Sequence, residues 1–408
     1  MRAARGPDRR QCGDGAPLST LRPMKTVTRP DLSPVVDLLT RQTEQNLHDC
    51  AQVYVSRHGE TILDGVVGES RPGRPLHNDD LMLWYSSSKP TTTVAVLQLW
   101  EQGKLRLDDL VADYVGGWGA GKERCTLRQV LTHTGGFPML RGGETFDENI
   151  DYADAVAGIA AHPAEWEPGT AAGYHPASGW KVLGAVVEAV DGRPIERYVR
   201  DEIFAPLGMS NCRLGVPVDE QRLFGDRIVP VAWKGHAIAR RIDGALQMVP
   251  YKVDRIHNQP WHIAKVEPGG GIRGPARELG LFYESLLGFG PAILENRTVE
   301  VMSAIHRRGL KDITFGMSMP WGLGVQRAFT GGTSRRAFGH SGMASSRGLA
   351  DPEIGLVFVV VCNGLPSYMP NEERFLDLTD ATYRALGDEV APVRQEVRPI
   401  ATAGLFSS

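Results

Sequence analysis

The chain has 408 residues, 42% of them hydrophobic and 23% charged, with a formal net charge of −3. That balance excludes a disordered or fibrous protein and allows a large buried core. No basic block dominates, so there is no electrostatic footprint for nucleic acid, and a small molecule is the expected partner.

The first 23 residues carry Arg2, Arg5, Arg9, Arg10 and Arg22 without an apolar run, so they do not read as a secretory signal. Residues 1–30 are expected to be a disordered or non-structural leader, with Met24 an alternative start. A helical pattern follows near 31–47. Two β-prone runs, 52–56 and 61–67, flank His58-Gly59-Glu60 as a hairpin would. Helical patterns then dominate: 91–102 stopping at Gly103, 127–132, 179–190 stopping before Gly192, 195–204, and 276–287. Residues 213–260 show no clear period. A second β-rich cluster comprises 321–327, 336–339, 345–350 and 355–362, with Asp351-Pro352-Glu353 as a turn and 356–361 continuously apolar, as in a strand covered on both faces. A helix over 374–386 closes the pattern, and 391–408 reads as a tail. The expected fold is α/β of the α+β type: a mainly antiparallel sheet built from both chain ends and flanked by helices, with a mostly helical inserted lobe. The sheet lobe covers about 31–85 and 305–390, the helical lobe about 86–304, in a single catalytic domain over 31–390.

The five cysteines, Cys12, Cys50, Cys125, Cys212 and Cys362, are odd in number and form no Cys-x-x-Cys pair, which argues for reduced thiols rather than a disulfide framework or zinc site. No apolar stretch approaches the roughly 20 residues of a membrane span. The expectation is a cytoplasmic protein with no membrane contact.

Ser86-Ser87-Ser88-Lys89-Pro90 lies where the apolar run 81–85 meets an apolar helix, with Pro90 placed where a helix start tolerates it. A three-residue spacing puts Lys89 on the same helical face as Ser86. A partly desolvated lysine can help remove a serine proton, and the helix N-terminus favours a developing oxyanion. An N-cap serine explains the same pattern, which recurs at Ser178-Gly179-Trp180-Lys181. Three other motifs fail in context. Gly339 to Met343 nearly forms a Gly-x-Ser-x-Gly elbow, but no helix follows. Gly116 to Lys122 fits Gly-x4-Gly-Lys, but Glu123 stands where a Ser or Thr must bind magnesium. His257 and His262 lack a His-Glu-x-x-His helix.

The run YSSSKPTTTVAVLQLWEQGKLRLDD closely resembles the nucleophile helix of the β-lactamase and penicillin-recognising family. VLTHTGGFP at 130–138, the block at 167–209 opening EPGTAAGYHP, EPGGGIRGPAREL at 267–279, and WGLGV and FGHSGM at 321–325 and 338–343 resemble that family's further landmarks in order. The resemblance implies Ser86 as nucleophile, Lys89 as its basic partner and Tyr174 as, or relaying to, the general base. Where the family has Tyr-x-Asn, this chain reads Tyr174-His175-Pro176, and in place of Lys-Thr-Gly it has His340-Ser341-Gly342. The latter resembles esterase-like members, with His340, Ser341 and Gly342 at the substrate and the Met343 and Ser86 N–H groups as oxyanion donors. His133-Thr134-Gly135 follows a helix and reads as structural. The class A deacylation motif Glu-x-x-Leu-Asn is absent, so the resemblance is nearer class C enzymes, esterases and D-stereospecific peptidases. It implies a serine hydrolase working through an acyl-enzyme on a small-molecule ester or amide, with a carboxylesterase as the first expectation, and neither metal nor cofactor. Acyl transfer to another alcohol or amine, β-lactam or D-peptide hydrolysis, and a catalytically silent penicillin-binding-like sensor stay open as alternatives, as does the oligomeric state.

Overall fold

The computed structural model describes residues 30–138, 149–242, 245–252, 254–327, 329, 332–343 and 345–387. The expected tail, Cys12 and all of the expected leader but Pro30 lie outside the described residues. Strands Cys50–Arg57 and Glu60–Arg71 pair antiparallel across a tight turn. His58 and Gly59 both take left-handed backbone, with φ of 50° and 77°, as a two-residue hairpin needs to match the twist of its strands.

The end of the chain returns to this hairpin. Leu356–Cys362 pairs antiparallel with Cys50–Arg57, and the sheet continues outward through Ser346–Asp351, Phe338–Gly342 and Gln326–Arg327. Arg74–Pro75 closes the other edge, giving seven antiparallel strands. The unbroken apolar run is explained by alternation. Leu356, Phe358 and Val360 pack with Val35 and Leu39 of helix Ser33–Glu44 and Phe375 and Leu378 of helix Tyr368–Leu386. Val357, Val359 and Val361 face the other way, with Leu279, Phe282 and Tyr283 of helix Ala276–Leu286.

Helix Lys89–Glu101 is buried along almost its whole length, Val94 to Leu97 and Leu99 being fully inaccessible. A helix apolar on all sides belongs in the interior, and this one lies between the sheet and helix Ser178–Asp191. Two expectations need adjusting. The strand expected over 321–327 is reduced to Gln326–Arg327, because Gly322 and Gly324 serve close packing: a Cβ on Gly324 would meet Thr93 Oγ1 at 1.9 Å. The segment 213–260 folds as short pieces, among them a local antiparallel pair, Ala237–Ile242 with Ala245–Pro250, and two strands whose partners are remote. Arg213–Leu214 pairs with Ile272–Gly274, and Ala232–Lys234 runs parallel to Gly364–Pro366. Among the described residues no helix is long and apolar enough to cross a membrane, and Cys50, Cys125, Cys212 and Cys362 are free and buried.

Candidate active site

Ser86 sits in a single 3₁₀ turn, Tyr85–Ser88, that runs straight into helix Lys89–Glu101. Tyr85, just before it, has φ of 48°, a conformation that costs a non-glycine residue about 1–3 kcal/mol and persists only where packing enforces it. Here the buried phenol is tied to His257 Nδ1 at 2.8 Å. The neighbouring serines are already engaged. Ser87 Oγ donates to His340 O at 3.0 Å and meets Ser346 Oγ at 2.8 Å, while Ser88 Oγ accepts from the Ile272 N–H at 3.3 Å. These bonds staple the strands Phe338–Gly342 and Ile272–Gly274 to the turn and leave half-buried Ser86 facing outward. A Cβ on Gly342 would meet Trp84 O at 2.3 Å and Tyr85 Cβ at 3.0 Å. Glycine there lets the backbone leading to Met343 press against the Tyr85–Ser88 turn.

Lys89 is fully buried. Its Nζ lies 3.1 Å from Ser86 Oγ, 2.6 Å from Pro176 O and 2.7 Å from Gly269 O, with the rings of Trp180 and Tyr174 at 4.9 and 5.2 Å. Burial pushes its pKa down to about 7, against the pull of Glu267. In the ammonium form three N–H bonds serve three oxygens. In the neutral form the two carbonyls take both N–H bonds, and the lone pair is left for the Ser86 hydroxyl proton.

The Tyr174 phenol lies beside Ser86, and burial drives its pKa well up. Its backbone N–H donates to Asp312 Oδ1 at 3.2 Å, and buried Asp312 is itself paired through Oδ2 with Arg307 at 3.0 Å. The ring stacks on Trp321 at 6.0 Å and touches Phe315 at 5.3 Å and His133 at 4.7 Å. His133 Nδ1 accepts the His175 N–H at 3.0 Å, fixing the backbone beside the tyrosine. His175 turns inward, joined to Gly173 O at 2.7 Å and the Phe137 N–H at 3.2 Å. Pro176 is exposed and contributes its carbonyl to Lys89.

His340 is buried beside this group, its ring 6.0 Å from Tyr174 and 5.5 Å from Trp321. Nδ1 lies 2.7 Å from Ser341 O, so the proton resides on Nδ1 and Nε2 carries the lone pair. Burial pushes its pKa down to about 3, and the ring is neutral at working pH. Ser341 alternates to the opposite face of the strand, where its Oγ accepts from Arg347 Nε at 3.3 Å. Thus Ser86, Lys89, Tyr174 and His340 come together, the Gly342 backbone borders them, Met343 packs against the cluster that holds Tyr85, and the Ser341 hydroxyl does not join them.

The second Ser-x-x-Lys pair is used differently. Ser178 Oγ donates to Phe137 O at 2.8 Å, and Lys181 forms a buried ion pair with Glu267. Lys122, from the Gly-x4-Gly-Lys stretch, is buried against the carbonyls of Gly119, Ala160 and His162. No cluster of His, Cys, Asp or Glu among the described residues could hold a metal ion. Asp312, Trp180 and the carbonyls of Pro176 and Gly269 were not found from sequence. The block EPGGGIRGP pointed to the last of these without giving it a task.

A protein-family model described as Beta-lactamase matches residues 36–382. The esterase/beta-lactamase LipL of Mycobacterium tuberculosis (strain ATCC 25618 / H37Rv) is 26% identical over 310 residues, covering 72% of this chain and 71% of that protein. A penicillin-binding protein homolog from Caulobacter crescentus has a similar structure, with TM-score 0.73 and 25% identity over 88% of this chain and 99% of the other. A family VIII carboxylesterase gives TM-score 0.73 and 25% identity, over 87% and 97%.

Proposed function

The chain belongs to the β-lactamase family, and on that footing we propose that it is a serine hydrolase of carboxylic esters, working through an acyl-enzyme on Ser86. The observation that carries this reading is Lys89 Nζ at 3.1 Å from Ser86 Oγ, clamped between two carbonyls and desolvated to a pKa of about 7. Neutral Lys89 takes the Ser86 proton, directly or through the Tyr174 phenol, as Oγ attacks the ester carbonyl. A phenol with a raised pKa keeps its own proton and serves better as relay than as base. The oxyanion is received by the N–H groups of Ser86 and Met343. The departing alkoxide recovers the proton from Lys89 or Tyr174. Water then attacks the acyl-serine by the same route, releasing the acid and restoring Ser86.

The sign of the pH dependence follows from which form of Lys89 is competent. A base with a pKa of about 7 is protonated and inactive below that pH. For a short-chain nitrophenyl ester, kcat/KM should therefore rise about tenfold per pH unit on the acid side and level off above about pH 7. The pH–rate profile checks this, and a curve without an inflection near neutrality would remove Lys89 as proton acceptor.

The same site disfavours β-lactams. An asparagine amide two residues after the tyrosine and a cationic lysine in the third motif would engage the side-chain amide and carboxylate of a penicillin. Here Pro176 has no side-chain donor, and His340 is neutral, with a lone pair rather than a charge on Nε2. With about 1–3 kcal/mol for each charge-assisted contact, kcat/KM for a short nitrophenyl ester should exceed that for a chromogenic cephalosporin by at least about 10²-fold near pH 8. Comparable values on the two substrates would restore β-lactam hydrolysis as the first choice.

A further inference from the structure

Resting on the proposed serine hydrolase reading, we propose that Lys181 is a positioning residue for the reaction: paired with Glu267, it offsets a carboxylate that would otherwise hold a proton on Lys89 more firmly. Among the described residues Glu267 is the carboxylate acting on Lys89, and it is tied to Lys89 through the backbone as well. The N–H groups of Gly270 and Gly271 both bond Glu267 O, at 3.0 and 2.7 Å, closing the tight turn that aims Gly269 O at Lys89 Nζ. Pro268 O, in the same turn, receives Thr92 Oγ1 of the nucleophile helix at 2.9 Å.

An opposite charge close to a buried lysine favours its ammonium form, which is the form that cannot accept the Ser86 proton. Lys181 and Glu267 are both buried, and the ammonium of Lys181 sits directly on the carboxylate. Lys89 therefore meets an anion already paired with a cation, and the pull of Glu267 that remains is smaller than the effect of burial. Its other neighbours do not change this balance. Burial pushes the pKa values of His133, His175 and His340 far down and that of Tyr174 up, so all four are uncharged near pH 7. The Arg307–Asp312 pair beyond His133 is self-compensating. Tyr152, with its pKa raised, and His262, with its pKa lowered, face Glu267 and Lys181 as neutral groups. The second Ser-x-x-Lys is thus the tuning partner of the first.

The test is the pH dependence of the rate at which a fluorophosphonate labels Ser86 in the purified full chain, with folding checked by circular dichroism. The unaltered protein should inflect near pH 7. Lys181→Met should move the midpoint up by about one pH unit, and Glu267→Gln should move it down by a similar amount, the scale of one charge at buried-pair distance. The neutral double variant Lys181→Met/Glu267→Gln should return close to the original midpoint, and Lys181→Arg should keep it. A purely structural role would slow labelling without moving midpoints in opposite directions. If Lys181→Met fails to fold, Glu267→Gln against the double variant carries the same comparison. Midpoints that stay put, or shift the same way in both single variants, overturn the inference and leave the hydrolase reading intact. An unaltered protein that labels elsewhere than Ser86 overturns the hydrolase reading and this inference with it, whereas one that labels at Ser86 without an inflection near neutrality removes Lys89 as proton acceptor and overturns this inference alone.

Discussion

Ser86→Ala should eliminate labelling by a fluorophosphonate probe and lower ester turnover by roughly 10⁴-fold or more, the scale seen when a covalent nucleophile is removed and only binding and oxyanion contacts remain. The change deletes one oxygen from a half-buried position. The staples that hold the turn belong to Ser87, Ser88 and Ser346, so the thermal midpoint should hold within a few degrees. Ser178→Ala is the control. Its hydroxyl is spent on Phe137 O at 2.8 Å, so its loss should cost stability on the order of 1 kcal/mol while labelling persists. Full activity in purified Ser86→Ala, or loss of labelling in a folded Ser178→Ala, would exchange the roles assigned to the two serines.

The blocks around Ser86 tell the two Ser-x-x-Lys pairs apart in sequence, but what the second pair does appears only in three dimensions. The pair Ser86 and Lys89 is legible because a three-residue spacing at a helix start places both on one face, and the ordered blocks around it are long. The sheet was legible for a similar reason: alternation and the apolar run 356–361 are local signatures of strands covered on both faces. Lys181 and Glu267 stand 86 residues apart, and nothing in either neighbourhood announces the other. Backbone carbonyls are still less visible. Pro176 O and Gly269 O complete the environment of Lys89, yet every residue has a carbonyl and only the fold selects these two.

The same limit explains the other differences. Residues 321–327 carry the β-prone composition of a strand, but Gly322 and Gly324 are there so that the backbone can approach Met302 O and Thr93 closely, and strand pairing yields to packing against helix Lys89–Glu101. Ser341 was grouped with His340 by proximity in the chain. Strand alternation sends the two side chains to opposite faces, where Arg347 claims the serine. Asp312 reaches the site only by accepting the Tyr174 N–H, a role that leaves no pattern in sequence.

Lys89→Met and Tyr174→Phe should each reduce kcat/KM for a short ester by about 10³-fold, within the 10²–10⁴ range for lost acid–base assistance, and the double variant should lose far less than the product of the two. Methionine keeps an unbranched chain beside Trp180 and Tyr174 but has no lone pair basic enough for the Ser86 proton. Phenylalanine keeps the ring between Trp321, Phe315 and His133 and deletes the relay hydroxyl. If Lys89 is the terminal acceptor and Tyr174 the relay, both act on one proton in one step, and a site already lacking the acceptor has little more to lose when the relay goes. The double variant should then sit within about tenfold of the weaker single variant, measured with thermal midpoints to confirm folding. The pH profile separates the roles further: Lys89→Met should lose the inflection near 7, whereas Tyr174→Phe should retain it at reduced height. Losses that multiply would place the two residues in different steps, acylation and deacylation. Retention of the inflection in Lys89→Met would transfer the base role to Tyr174.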